Sequence, residues 1–389
     1  MILYLLLLFL IILGFLIYDI DGGSQYKEYA IYTTLALMVF ISGFSYRLGG
    51  DGLIYLLEYR RYSSLPDVNF SYLCGFNGRQ PGWVLLCTIC KTITSDYWLF
   101  KLVHAIIVNT AYVIAIKRHT NYVFSGLLVY YIIIFFNQNF QILRESLAIS
   151  IFLFSLPSFY NNKWIKYYAL AFLAFLFHEG SAFLFLLPLI KVLGFNKYSI
   201  ALYLFGAILF AFYASDLVQY FMTLALSGDI DNEKFYFYFH DIESSGKSSV
   251  YGNILLNLII PIVILVYFKI KDVKISYLYP ALFSLIIYTF SLVLPIVYRF
   301  GNYVLIFNYL VIIDFLFVFF SSPAFSRKYR YLFVSSLLFF YVGFKARVYF
   351  VENYGETRFK TYVQYFPYAS VFEEYEDPDR EVFLKQLDD

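Results

Sequence analysis

An all-α, polytopic membrane fold is what this sequence predicts, and three observations carry the prediction. Apolar runs recur at 2–18, 29–43, 98–116, 122–136, 147–159, 199–213, 254–268, 277–297, 303–320 and 331–344. The chain is 61% hydrophobic and 14% charged, against about 45–50% and 25% for soluble domains. Short basic clusters stand between the runs, as they do in cytoplasmic loops. A bilayer core about 30 Å thick takes roughly 20 apolar residues per helix, and lipid obliges each segment to satisfy its own backbone. The expected architecture is about 11–13 transmembrane helices in one domain over 1–344, with an external loop near 214–252 and a polar tail at 345–389.

The first run follows Met1 with neither a basic leader nor a small-residue cleavage signal, which predicts a retained helix. Lys117-Arg118-His119, Lys163 with Lys166, Lys191 with Lys197, Lys269 and Lys271 with Lys274, and Arg327-Lys328 with Arg330 separate later runs. If all five clusters are cytoplasmic, the segments between them pair as hairpins. The apolar stretch 167–193 carries His178-Glu179-Gly180-Ser181 near its middle, so two short helices turning at Gly180 are expected in place of one straight span. The same parity puts 137–144, the Tyr298-Arg299 corner and the tail outside. It also puts 214–252 outside, with six acids and two lysines. The segment 83–94 leaves two possibilities: if it spans, 46–81 lies inside; if it is re-entrant or interfacial, 46–81 lies outside. Residues 372–389 hold eight acids and two bases, which predicts a solvated end with a disordered terminus.

Composition also bounds the function. A net charge of +2 gives no electrostatic case for nucleic acid. Tyr and Phe are abundant, 41 and 46 residues, which suits membrane interfaces or reflects base composition. Cys87 and Cys90 form C-x-x-C inside an apolar run with no second pair, and with Cys74 they read as packing residues. No metal site and no cofactor is expected. No Walker A motif, nucleophile elbow or H-E-x-x-H segment occurs.

Polar groups at membrane depth are the functional candidates. Arg144 follows Asn137-Gln138-Asn139-Phe140-Gln141 and opens an apolar helix beside Glu145. Arg144 and Gln141 offer fixed donors that suit a phosphate; an interfacial arginine paired with Glu145 is the plainer reading. His178 and Glu179 sit at a turn, where imidazole can act as base or donor. Arg299 stands between two helices on the same expected face. Arg47 begins Arg47-Leu48-Gly49-Gly50-Asp51-Gly52, with Tyr55 beyond. Its glycines let backbone approach a ligand, and Asp51 is the best-placed carboxylate for a base. Glu58, Arg60 and Arg61 follow on an amphipathic stretch expected to lie at the interface.

These segments, in this order, resemble one family. Arg-x-Gly-Gly-Asp-Gly-x-x-Tyr (Arg47 to Tyr55) precedes Gln-x-x-Arg-Glu-x-Leu-Ala (Gln141 to Ala148). Ala-Phe-Leu-Phe-His (Ala174 to His178) follows, then Tyr298-Arg299-Phe300 and Phe366-Pro367-Tyr368. The chain resembles the EpsG-like, Wzy-type polymerases of O-antigen, capsule and exopolysaccharide. Gly50 replaces a threonine frequent in that family, and Gln80-Pro81-Gly82 stands where it often has Glu-Pro-Gly.

The resemblance implies a GT-C-like enzyme of the bacterial inner membrane that joins undecaprenyl-diphosphate-linked oligosaccharides at the periplasmic face. A flippase and a chain-length regulator are implied partners. On that reading Arg144, Arg299, Arg47 and Gln141 meet the diphosphate, and His178, Asp51 or Glu179 takes the acceptor proton. Aromatics at Tyr236-Phe237-Tyr238-Phe239-His240 are candidates to stack on sugars. A lipid-linked oligosaccharide transporter or flippase is an alternative, as is an O-antigen ligase-type transferase.

Overall fold

The computed structural model describes residues 2–194, 213, 254–291, 295–321, 326–351 and 359–388. The acidic segment 214–252, the run 199–213 apart from Tyr213, and the aromatic run ending at His240 lie outside the described residues. The described residues are helical. Five helices among them are long and apolar enough to cross a membrane: Ile2–Ile20, Tyr97–His119, Val123–Phe140, Val297–Phe320 and Tyr331–Phe350. Four shorter apolar helices accompany them. The all-α polytopic architecture expected from the apolar runs is the one observed.

The chain forms two units, one of residues 1–182 and 316–389 and the other of 183–315. In the first, α1 (Ile2–Gly14) continues through a π-helical turn to Ile20 and packs on α2 (Lys27–Gly43) and α7 (Val123–Val129). Helix α2 lies along α6 (Tyr97–His119). They run antiparallel: a Cβ on Gly43, the last residue of α2, would stand 3.1 Å from the Cα of Leu102 in the second turn of α6. At about 1.5 Å per residue, α6 extends roughly 34 Å, enough to cross a bilayer core. Helix α7 passes through a π-helical segment into α8 (Phe136–Phe140), and α9 (Leu143–Tyr160) and α10 (Trp164–Phe175) form an antiparallel pair.

The antiparallel contact of α2 with α6 settles the route of 44–96. The chain leaves α2 and enters α6 at the same end, so the segment between makes no net crossing, and α3 (Gly52–Arg61), α4 (Phe70–Gly75) and α5 (Pro81–Ile93) are each too short to make a pair of full spans. Helix α5 therefore does not cross, which selects the re-entrant or interfacial alternative. Aromatic contacts seat α3 and α5 on the first turns of α6: Trp83 meets Tyr55 at 5.2 Å and Phe100 at 5.0 Å, and its indole N–H donates to the Tyr62 hydroxyl at 3.0 Å.

The opposite end of the first unit carries Lys27, Lys117 and the α9–α10 lysines. There Asp19 accepts from the Ser125 amide at 2.6 Å and hydroxyl at 2.8 Å, with Lys27 at 3.8 Å. Lys117 pairs with Glu28. A cavity of about 360 Å³ opens there among Asp19, Asp21, Tyr122, Ser321 and Tyr331. From this end α15 (Arg327–Ala346) returns along the bundle, and the Tyr349 hydroxyl donates to the Ile132 carbonyl at 2.8 Å.

The tail then folds back on the 44–52 turn. Tyr46 N–H donates to Ala369 O at 3.0 Å, Val371 N–H to Phe44 O at 3.0 Å, and Gly49 N–H to Gln364 O at 2.9 Å. Ser45 and Ser370 form a bridge of antiparallel pairing. The last helix, α16 (Pro378–Asp388), buries Phe383 and Leu384 with Val363, against Leu53 of α3. The acids expected to be solvated are mostly exposed over 372–379, whereas 359–371 and 380–384 form a strap seated by backbone hydrogen bonds and an apolar face.

In the second unit α11 (Leu189–Leu193), α12 (Ile260–Ile270) and α13 (Leu278–Ser291) precede α14 (Gly301–Phe320). Phe183 contacts Phe283, Phe300 and Tyr303, with ring centroids 4.9–5.5 Å away. Ser284 donates to Asn308 Oδ1 and Tyr277 to Asp314 Oδ2, each at 2.5 Å. Such bonds satisfy side chains that lipid could not.

Among the described glycines of the first unit, Gly49 lies closest to another stretch of backbone. Its φ is +87°, and a Cβ there would stand 2.1 Å from the Phe140 carbonyl oxygen. Gly75 meets nothing within 4 Å. Gly49→Ala is expected to destabilise the fold by at least about 1–3 kcal/mol, and Gly75→Ala to leave stability nearly unchanged. Thermal unfolding of both variants in detergent, followed by size-exclusion fluorescence, checks the contrast.

Candidate functional site

The site is built on a helix break. The α7–α8 helix ends at Phe140, and α9 starts at Leu143. The amides of Gln141 and Ile142 both donate to Asn137 O, at 3.0 and 3.1 Å, which closes the first helix and redirects the chain. Arg144 and Glu145 then occupy the first turn of α9. A buried polar network fixes the break from below. Lys101 Nζ donates to Asn139 O at 2.6 Å and lies 5.1 Å from the Phe140 ring centroid. Asn109 donates to Asn139 Oδ1 at 2.9 Å and accepts from Tyr130 at 2.8 Å. His104 Nε2 meets Ser146 Oγ at 2.8 Å.

Four of the sequence-predicted residues gather around the break. Arg144 Nη1 donates to Gln80 Oε1 at 2.9 Å, and Gln80 Nε2 donates to Glu179 Oε2 at 3.3 Å. Arg144 Nε is buried without a hydrogen-bond partner. Gln141 donates to both Gln364 Oε1 and the Tyr365 hydroxyl. Asp51 is exposed at the start of α3, within electrostatic range of Tyr55 and Tyr365. Burial raises the pKa of Tyr55, opposed by the charge and hydrogen bond of Arg144. Burial likewise pushes the Tyr365 phenol well above its usual value, with Gln141 opposing. Both phenols therefore remain neutral at physiological pH.

Gln80 reaches Arg144 because two contacts fix the turn before α5. Arg79 makes a two-pronged ion pair with Glu58, one bond at 3.2 Å. The Gly82 amide donates to Leu176 O at 2.7 Å, an approach that a side chain at Gly82 would block. Leu176 is where α10 stops, and the next residues turn: His178 N–H donates to Ala174 O, and Ser181 N–H to His178 O, each at 3.1 Å. The straight span is interrupted as expected, but at 176–178 and not at Gly180, which lies within the 3₁₀ segment Glu179–Leu186, where the sequence predicts a second α-helix. His178 is half-buried and Glu179 exposed.

The remaining two predicted residues stand elsewhere. Arg299 belongs to the second unit, exposed in the 3₁₀ turn Pro295–Phe300 that leads into α14. Arg47 belongs to the first unit but points to the strap: Nε donates to Glu381 Oε1 at 3.0 Å, and Nη1 lies 3.2 Å from Glu376 Oε1. The sequence reading missed Gln364 and Tyr365 as neighbours of Gln141, and Gln80 as the partner of Arg144. Gln80-Pro81-Gly82 was visible, but nothing in its spacing indicates that its amide spans Arg144 and Glu179. Among the described residues no group of three His, Cys, Asp or Glu side chains is placed to hold a metal ion.

The EpsG family model matches residues 28–370, a span from α2 into the strap. The chain belongs to the EpsG family. Membership supports a polysaccharide polymerase-type role in a multi-pass membrane protein. No curated protein and no solved structure matches the chain. In this EpsG-family chain the match takes in Arg47, Asp51, Gln80, Gln141, Arg144, His178, Glu179 and Arg299.

Gln80→Ala removes the amide that joins Arg144 to Glu179. A hydrogen bond to a charged group is worth about 1.5–3 kcal/mol, so polysaccharide output should fall about tenfold or more. Immunoblotting of membranes should show an unchanged protein level, and an equal fall in level would assign Gln80 to folding instead.

Proposed function

We propose that this protein is a glycosyltransferase-type polymerase that joins undecaprenyl-diphosphate-linked oligosaccharide repeat units at the periplasmic face of the bacterial inner membrane. Arg144 carries the reading. Its guanidinium sits at the first turn of a helix, oriented by Gln80 and Tyr55, with Nε left without a partner. The position is at the end of the bundle opposite Lys27, Lys117 and the α9–α10 lysines, which the positive-inside rule assigns to the cytoplasm.

The chemistry needs few parts. The hydroxyl oxygen of the acceptor repeat unit bonds to the anomeric carbon of the donor. The bond from that carbon to the diphosphate oxygen breaks, and its electron pair leaves with the diphosphate. Fixed donors aimed at the leaving oxygens stabilise the charge that develops there. Arg144 fills this role in the first unit. The acceptor proton passes to a carboxylate or imidazole on the same rim, where Asp51, Glu179 and His178 stand. A polyprenyl donor arrives from lipid, so a site at the end of a membrane bundle suits it. A flippase that delivers donor and a chain-length regulator are the natural partners of this activity.

Arg144→Ala is expected to cut elongation about 10²–10³-fold while the protein stays in the membrane. Gel ladders of surface polysaccharide from a complemented deletion strain read this directly, and a full-length ladder would remove Arg144 from the chemistry. Sidedness has its own test in the native cysteines. Cys74 is exposed at the Arg144 end, whereas Cys87 and Cys90 are buried. An impermeant maleimide added to intact spheroplasts should modify Cys74; modification only after permeabilisation would put the site on the cytoplasmic face.

A further inference from the structure

We propose that Arg47 is a positioning residue, the latch that seats the C-terminal strap as one wall of the site, and not a ligand of the diphosphate; this rests on the polymerase reading above. Arg47 is half-buried and engaged on both sides by carboxylates. Glu381 takes two bonds from it, one of 3.0 Å, and Glu376 lies 3.2 Å away. Side-chain exposure of Arg47 and Glu381 is only 16% and 18%, so this pair is poorly screened, unlike a surface ion pair. A two-pronged guanidinium–carboxylate bond also fixes direction as well as distance. With its donors so committed, Arg47 has little left to offer a substrate phosphate.

The latch reaches the site through the strap. Glu381 adjoins Arg380, a fully buried side chain that donates to Val363 O at 3.3 Å and to Pro367 O. Those two carbonyls bracket Gln364 and Tyr365. Gln364 O takes the Gly49 amide at 2.9 Å, and the Gln364 and Tyr365 side chains take both bonds of Gln141. Seating the strap therefore holds the Gly49–Asp51 turn and Gln141 together. Asp51 follows Gly49 by two residues, and Gln141 precedes Arg144 by three, so both sides of the site depend on one strap.

A charge exchange tests this in the full-length protein in membranes. Arg47→Glu should expel the strap: limited proteolysis from the exposed side should cleave between 359 and 388, and elongation should fall about 10²-fold, the cost of a misplaced group. Arg47→Glu combined with Glu381→Arg and Glu376→Gln restores the pair with its signs reversed. It should recover proteolytic protection and bring elongation to within about tenfold of the unsubstituted protein. A triple variant that is protected yet as inactive as Arg47→Glu would overturn the latch and return Arg47 to the substrate. Full elongation by Arg47→Glu would overturn it equally. If the unsubstituted protein elongates no glycan, the polymerase reading fails, and the latch is judged on protection alone; equal cleavage of Arg47→Glu and unsubstituted protein then sinks it.

Discussion

A hydrogen atom where any other residue has a carbon sets the geometry of the first unit. Gly49 lets the 44–52 turn lie directly on the carbonyl of Phe140, at the point where one helix ends and the next begins. The contact is backbone to backbone, so it tolerates no substituent. It aligns three separate stretches of chain. The turn brings Asp51, the helix break brings Gln141 and Arg144, and the Gly49 amide receives the strap through Gln364. A displacement at this point would move all three.

The helix break is costly in a membrane and is supported accordingly. Ending a helix inside a bundle frees carbonyls that lipid cannot satisfy. Lys101 takes the Asn139 carbonyl, and the Asn139 side chain is shared with Asn109 and Phe135 O. These groups are buried in α6 and α8, away from the rim. Asn109 also donates to Ser42 Oγ at 3.1 Å, which ties α2 into the same network. Buried polar networks of this kind are stabilising only when nearly complete, and this one fixes the direction in which α9, with Arg144 on its first turn, leaves the break.

Much of this was legible in the sequence, and the exceptions have physical reasons. Apolar runs located the long helices because lipid imposes length and composition together. The polar interruptions at 137–144 and 178–181 marked breaks, and both occur. The fate of 83–94 was undetermined because a 13-residue helix has the length of neither a clear span nor a clear loop; only the antiparallel contact of α2 with α6 decides it. The seating of the strap was hidden for a different reason. Its acids suggest solvation, yet Glu376 and Glu381 meet Arg47 about 330 residues earlier, and Arg380 is buried by carbonyls. Long-range partners of charged residues leave no periodic trace, so composition alone cannot separate a latch from a solvated end. The same limit hid the link from Arg144 through Gln80 to Glu179.

The strap also sets an order of events in biosynthesis. It leaves the ribosome after all the helices on which it rests, and Tyr4 near the start of the chain donates to the Tyr365 carbonyl at 3.3 Å. Segments 361 residues apart in the chain thus meet at one place. Membrane insertion of the bundle can be finished while its rim is still open, and Gln141 has no partners until the final stretch docks. Threading and docking are thereby separated in time: the helices enter the bilayer first, and the rim closes only when the strap follows.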